Sequence, residues 1–234
     1  MKSPRLIFSY SFSSCRRALL LVCVALLCCT AASAQGFFRY QRDSIPFFRG
    51  FSVSVDMVGL VRMQLSDYGQ YEGALRLNLH DQYFPIFEMG YGRANHEDDE
   101  VTGFTYKTQA PYFRIGADVN IMKRKHTGNR VFIGFRYAFT SYKVDIDCRP
   151  FADPYWKWST HFRAHDVACS QQWAELLFGL DGRVWGPLHL GWSARYRIRV
   201  SHDDGSIGKT WYVPGFGTQD SSALDATFNV SIDI

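Results

Sequence analysis

Over residues 224–234 apolar and polar positions alternate without a break. Leu224, Ala226, Phe228, Val230, Ile232 and Ile234 fall on one side, and Asp225, Thr227, Asn229, Ser231 and Asp233 on the other. A period of two places these sets on opposite faces of an extended strand. The same texture recurs upstream and predicts strands over 51–60, 71–79, 84–93, 110–121, 130–146, 171–185 and 188–200, with the last over 223–234. One face of each is apolar, as in Phe51/Val53/Val55/Met57, Phe113/Ile115/Ala117/Val119/Ile121 and Leu188/Leu190/Trp192/Ala194/Tyr196/Ile198. The opposite faces carry Glu72, Arg76, Glu88, Arg114, Asp118, Arg136, Glu175, Asp181, Arg183, Arg195, Arg197 and Arg199.

Two architectures use such strands. A soluble sandwich hides the apolar faces and wets the polar ones; a lipid-facing barrel does the reverse. Connection lengths separate them. The joins at 80–83, 122–129 and 186–187 are short, and they alternate with long ones at 61–70, 94–109, 147–170 and 201–222. Short periplasmic turns and long outer loops alternate in this way in membrane barrels. Closure has an energetic reason, because an open edge in hydrocarbon leaves backbone amides unpaired at several kcal/mol each. Tyr71, Tyr91, Tyr142, Trp173, Trp185 and Trp192 lie near strand ends, where interfacial aromatic girdles are expected. The predicted fold is all-β: a closed antiparallel up-and-down transmembrane barrel of about eight strands.

The N-terminal stretch alters how composition is read. Lys2, Arg5, Arg16 and Arg17 precede an apolar run over 18–30 that is too short to span a bilayer as a helix, and Ala32-Ser33-Ala34 supplies a small-residue cleavage site. Residues 1–34 are therefore expected to be a signal peptide, 35–50 a periplasmic segment and 51–234 the barrel. Acylation at Cys28 or Cys29 fits less well, because Leu27 stands where a small residue is wanted. The formal net charge of +4 includes those four basic residues, so the mature chain is near neutral and gives no basis for nucleic-acid binding. Only Cys148 and Cys169 survive cleavage. An even pair in an exported chain suggests a disulfide, here stapling an outer loop of roughly 20 residues with a stabilisation of about 3 kcal/mol.

Candidate chemistry is sparse. An eight-strand barrel is only wide enough for side chains to fill, so the arginines and carboxylates of the inner faces are expected to pair in a buried network. Tyr155, Trp156 and Trp158 in one outer loop and Trp211 in another are candidates for holding a partner. His161 and His165 are four apart without an evident helix, and His96-Glu-Asp-Asp-Glu100 lacks the spacing of a calcium loop, so no metal and no cofactor is expected. Ser201-His202-Asp203, and Ser159 with His161, supply the residue types of an activated nucleophile, but no G-x-S-x-G elbow is present. Phe37, Phe38, Phe47 and Phe48 precede the first strand, either packing under the barrel or docking a partner. Asp43-Ser44-Ile45 has the form of a short O-glycosylation acceptor.

Several segments together resemble a family of small outer-membrane β-barrel proteins of Bacteroidota whose function is unknown. They are Phe51-Ser-Val-Ser-Val-Asp56, Ser66-Asp-Tyr-Gly-Gln-Tyr-Glu72, Glu88-Met-Gly-Tyr-Gly92, Tyr106-Lys-Thr108 with Ala110-Pro-Tyr-Phe-Arg114, and Phe135-Arg-Tyr-Ala-Phe-Thr-Ser-Tyr142. Trp185-Gly-Pro-Leu-His-Leu-Gly-Trp192, Trp211-Tyr-Val-Pro-Gly215 and Thr227-Phe-Asn-Val-Ser-Ile-Asp-Ile234 complete the set. The resemblance implies an outer-membrane barrel with both termini periplasmic and carries no catalytic motif. Ile234 stands where many outer-membrane proteins end in an aromatic residue. The expected role is a non-catalytic structural or accessory subunit of an envelope assembly or secretion complex, in contact with membrane lipid and envelope proteins. The alternatives are a barrel-embedded acyl hydrolase or transferase, and a surface receptor or adhesin.

Overall fold

In the computed structural model the described residues are 46–97, 103–148, 151–152, 159–160 and 162–234, with backbone alone for 151–152 and 159–160. The expected leader, Ser44, Phe37 and Phe38, the acidic run at 98–100, and Tyr155, Trp156, Trp158 and His161 lie outside them. In chain order the elements are β1 (Phe48–Asp56), α1 (Met57–Leu65), β2 (Tyr68–Leu79), β3 (Tyr83–His96), β4 (Phe104–Asn120) and β5 (Arg130–Cys148). There follow β6 (Phe151–Ala152), β7 (Ser159–Thr160), β8 (Arg163–Trp185), β9 (Leu188–Asp203), β10 (Tyr212–Val213), β11 (Gly217–Thr218) and β12 (Ser222–Asp233).

Eight strands close into an antiparallel barrel in the order β1-β12-β9-β8-β5-β4-β3-β2, so each pairs with its neighbours along the chain. Closure is staggered. From Val55, pairing one way passes through Val230 to Leu190 on β9. The other way it passes through Gly73, Met89, Phe113, Phe139 and Gln172 and reaches the same strand at Ser201. Such an offset accompanies the strand tilt of a closed barrel.

The side-chain partition is inverted relative to a soluble protein. Phe87, Met89, Ile115, Ile133, Phe135, Leu176, Phe178, Leu180, Trp192 and Ile198 are exposed around the wall, while Arg114 and Arg136 are 0 % exposed. An apolar belt of this extent belongs against lipid, and charged groups with no other refuge turn inward.

Three expectations need correction. The predicted strand over 51–60 stops at Asp56, and α1 occupies the start of the predicted loop. The Asp56 carboxylate accepts the N–H of Val58 and of Gly59, each at 3.1 Å, which caps the helix. The apolar residues at 57, 58, 60 and 61 fit helical spacing as well as alternation. Pairing of β1 with β12 ends at Asp56 and Asn229. Beyond that point α1 lies beside β12, tied by Arg62 to Asp225 at 3.2 Å. A Cβ at Gly59 would stand 2.5 Å from the Gln70 carbonyl oxygen, so glycine is what lets the helix approach β2.

No disulfide joins Cys148 and Cys169. Cys169 sits opposite Tyr142, and Cys148 sits opposite Phe104 at the far end of β5, where its N–H donates to the Phe162 carbonyl at 2.9 Å. Cys148 is six residue steps along β5 from Tyr142, roughly 20 Å at the usual rise, far beyond the Cα spacing of about 7 Å that a disulfide tolerates. The segment read as one stapled loop is largely strand, because β5 and β8 continue pairing beyond the apolar belt. Finally, Tyr142 and Trp173 do not join an interfacial girdle: they are 3 % and 0 % exposed and face the lumen.

Candidate functional site

Inward positions on adjacent strands converge because the pleat repeats every two residues. In the middle of the lumen Arg114 (β4) donates to Glu72 (β2), to Glu88 (β3) at 3.2 Å and faces Glu175 (β8) at 3.0 Å. Arg195 (β9) lies 2.9 Å from Glu72 and 2.8 Å from Glu88. Arg136 (β5) grips Asp118 through both terminal nitrogens, at 2.7 and 2.9 Å, and reaches Glu88 at 3.1 Å. Arg197 joins Glu175 at 3.3 Å to Asp225 at 2.9 Å. Arg76 joins Asp118 at 3.4 Å to Asp181 at 3.3 Å.

All but two of the inward charges expected from the sequence therefore meet in a continuous ion-paired column. Arg199 is half-buried and joins none of its ion pairs, and Arg183 has the inward parity but sits at the strand end, exposed, and lines a solvent cleft of about 350 Å³ with Arg49 and His126. The sequence reading missed Arg130 and His189, which extend the column. Arg130 pairs with Asp233 at 2.5 Å, and His189 lies 3.2 Å from both Asp181 and Asp233. Their parity was a usable signal, since Arg130 is in phase with Arg136 and His189 with Arg195. Lumenal space among Asp56, Glu72, Arg76, Glu88, Arg136 and Arg195 amounts to about 10 Å³, room for about one water.

Above this column the connection between β9 and β12 folds into the barrel mouth. Tyr212, Val213 and Phe216 are buried with Trp173, Tyr106, Tyr112 and Tyr142 in the main apolar cluster. Phe216 meets the Trp173 ring edge to face at 5.7 Å. Backbone carbonyls of the loop find donors on the wall: Arg114 donates to Gly215 at 2.8 Å, Arg197 to Phe216 at 2.8 Å and the Tyr106 hydroxyl to Tyr212 at 2.7 Å. Gly215 has φ of +83°, and a Cβ there would stand 2.4 Å from the Tyr112 ring. Burial pushes the Tyr212 hydroxyl up to about 12. The loop was expected to stand outside the barrel; its apolar Tyr-Val-Pro-Gly-Phe run is what draws it in.

A vestibule of about 770 Å³ lies on top of this plug. Phe104, Tyr106, Ile146, Phe162, Ile207 and Trp211 form its apolar wall, with His96 and Lys209 as its polar members. Trp211, proposed from sequence as a partner-binding residue, is 40 % exposed. It packs against Tyr68, His96 and Tyr106 at centroid distances of 5.9, 5.3 and 5.7 Å.

Of the residues considered for catalysis, the described ones, Ser201, His202 and Asp203, do not assemble into a triad. Ser201 and His202 are successive residues of extended β9, and the His202 ring faces Asp204 at 3.5 Å. The side chains of Ser159 and His161 lie outside the described residues. His165 stands 3.4 and 3.6 Å from Asp147 and Asp145. Among the described residues there is no grouping of three or more His, Cys, Asp or Glu able to hold a metal ion.

A search of curated proteins finds no match to this chain. Among solved structures it is similar to a major outer membrane protein from Thermus thermophilus, at 13 % identity and a TM-score of 0.48, covering 79 % of this chain and 98 % of that one. It is similar to CarO of Acinetobacter baumannii at 14 % identity and a TM-score of 0.40, over 83 % and 100 % of the two chains. Neisserial surface protein A gives 12 % identity and a TM-score of 0.38, over 80 % and 99 %. The profile of one sequence family matches residues 12–234, nearly the whole chain, and the protein belongs to that family, the domain of unknown function DUF6048.

Proposed function

We propose that this protein is a non-catalytic, non-conducting barrel of the bacterial outer membrane, with both termini in the periplasm. It serves as an accessory subunit of an envelope assembly and acts by binding at its outer face. The observation that carries this reading is the sealed lumen. A column of paired charges fills the barrel centre, and a buried loop hairpin caps it. Moving a solute through would require parting several desolvated ion pairs, each costing about 3–5 kcal/mol to break from one side. A filled lumen disfavours transport, and among the described residues Ser201 and His202 are neighbours on an extended strand, so this reading gives the extended rim the work of binding. The apolar belt supports placement in a bilayer, and the short turns beside the chain ends support the orientation.

Two measurements test the proposal. Purified protein in planar bilayers is expected to show no stepwise conductance; reproducible unitary steps overturn the non-conducting part. Mild-detergent isolation of the tagged protein from its own outer membrane, with mass spectrometry, is expected to recover a reproducible set of envelope proteins. Recovery of the barrel alone at stoichiometric purity overturns the accessory-subunit part.

A further inference from the structure

We propose that the outer vestibule is a binding site for a small amphipathic anion: a flat, ring-based apolar body with one carboxylate or similar group. The inference rests on the reading above that the protein works by binding at its outer face, and adds the chemical class of what is bound.

The apolar part follows from the wall. Phe104, Phe162 and Trp211 are 40 %, 48 % and 40 % exposed, yet they face the barrel axis and not lipid, because they stand on inward positions or on the plug. Large aromatic groups left wet at the mouth of a barrel lose hydrophobic stabilisation that an apolar occupant would restore. The cavity has the volume of a small-molecule site, and its polar groups are few. Trp211 is held on several sides by Tyr68, His96, Tyr106 and Tyr212, so its free face is pre-oriented for stacking at little entropic cost.

The sign of the charge follows from the polar members. Among the described residues that line the cavity, Lys209 is present and none is a carboxylate. Of the plug's carboxylates, Asp204 is engaged with Gln219 at 3.0 Å and Asp220 accepts the Ser221 N–H at 2.7 Å, while Asp225 on the adjoining β12 holds Arg197 and Arg62. His96, the second polar member, already has Asp67 at 3.1 Å, which leaves the Lys209 ammonium as the group suited to an incoming anion. An ammonium above an aromatic cup selects an anion with an apolar body over its uncharged analogue. Below, the plug gives the cavity a floor, so a ligand would rest there and not pass through.

The test uses the full-length mature protein in amphipol, with 2-naphthoate and 2-naphthamide as probes and tryptophan quenching plus calorimetry as readouts. The acid is expected to bind saturably and about tenfold more tightly than the amide. Lys209→Gln is expected to abolish that ratio while keeping amide binding, and Lys209→Arg to preserve it. Trp211→Ala is expected to weaken both probes at least fivefold. Lys209 is exposed, so its variants fold; heat-modifiable gel mobility verifies this. Equal binding of acid and amide to the wild type overturns the anion assignment. Absence of saturable binding by either probe up to millimolar concentration overturns the site altogether. Neither outcome affects the sealed-lumen reading, which the conductance measurement decides separately.

Discussion

Replacing Arg114 by methionine removes the most heavily engaged charge in the lumen while roughly conserving its length. Arg114 contacts Glu72, Glu88 and Glu175, donates to the Gly215 carbonyl and lies 4.7 Å from the Tyr112 ring centroid, all at 0 % exposure. Its loss leaves three buried carboxylates with Arg136, Arg195 and Arg197 as the nearby cations; Arg136 and Arg197 also serve Asp118 and Asp225, and Arg195 alone is spread over all three. Removing one side of a buried ion pair costs about 3–5 kcal/mol, and the stranded Gly215 carbonyl adds about 1–3 kcal/mol. The expected loss is therefore about 4–8 kcal/mol, read as the shift in reversible urea unfolding in lipid vesicles by tryptophan emission and by the heat-modifiable gel band. Arg62→Ala is the internal control. Arg62 makes one half-exposed contact, to Asp225, and is expected to cost about 1 kcal/mol or less, diminishing with salt. A loss at Arg114 no larger than that at Arg62 would refute the reasoning, because it would mean that the lumenal carboxylates are hydrated and the column is not a dry seal.

Gly215→Ala should loosen the plug, since the left-handed φ and the Tyr112 ring both oppose a Cβ; about 2–4 kcal/mol is expected, seen as protease cleavage within residues 204–221 that the wild type resists. At the turn end, burial of Asp81 is outweighed by hydrogen bonds from His126 at 2.7 Å and Asn78 at 2.8 Å and by the Arg49 charge, which hold its carboxyl below the usual range. Its stabilising contribution is thus present above the unfolded value of about 3.9 and is lost as pH falls through the lower native value. Asp81→Asn should cost about 1–2 kcal/mol at neutral pH and flatten the acid limb of the stability curve, and an unchanged acid limb would contradict the assignment. Because Cys148 and Cys169 are far apart, reductant should leave the unfolding midpoint unchanged, and a non-reducing peptide map should show no crosslink between them.

Much of this was legible in the alternation of residues, for a specific reason. Within the lipid belt one face must be apolar and the other polar, so parity is enforced by two opposed solvents. Parity also revealed most of the charge column, including Glu88, Arg114, Arg136 and Arg195. Beyond the belt the outward face of a strand meets water while the inward face packs on the plug, as at Tyr106, Tyr142 and Val144, so the apolar-out, polar-in parity is no longer enforced although pairing continues. That is why β4 begins at Phe104 and β8 at Arg163, well before the residues where their alternation becomes visible. It is also why the Cys148–Cys169 interval read as a loop. Trp173 was misplaced for a related reason: proximity to a strand end suggested a girdle, whereas its parity with Glu175, to which its indole N–H donates at 2.6 Å, points inward.

The charge column also explains why the plug and the wall should be regarded as one unit. Buried ion pairs are weak stabilisers, because desolvation offsets most of their attraction, and apolar replacement of a whole set is often neutral. What they supply is mutual constraint. Arg114 and Arg197 each hold wall carboxylates and, with another nitrogen, a carbonyl of the plug. The same guanidinium groups that neutralise the lumen therefore set the depth and orientation of the hairpin, and so the position of Trp211 and Lys209 at its outer end. A ligand or partner on that surface meets a floor anchored through the lumen, and any displacement of the floor exposes the charges beneath it.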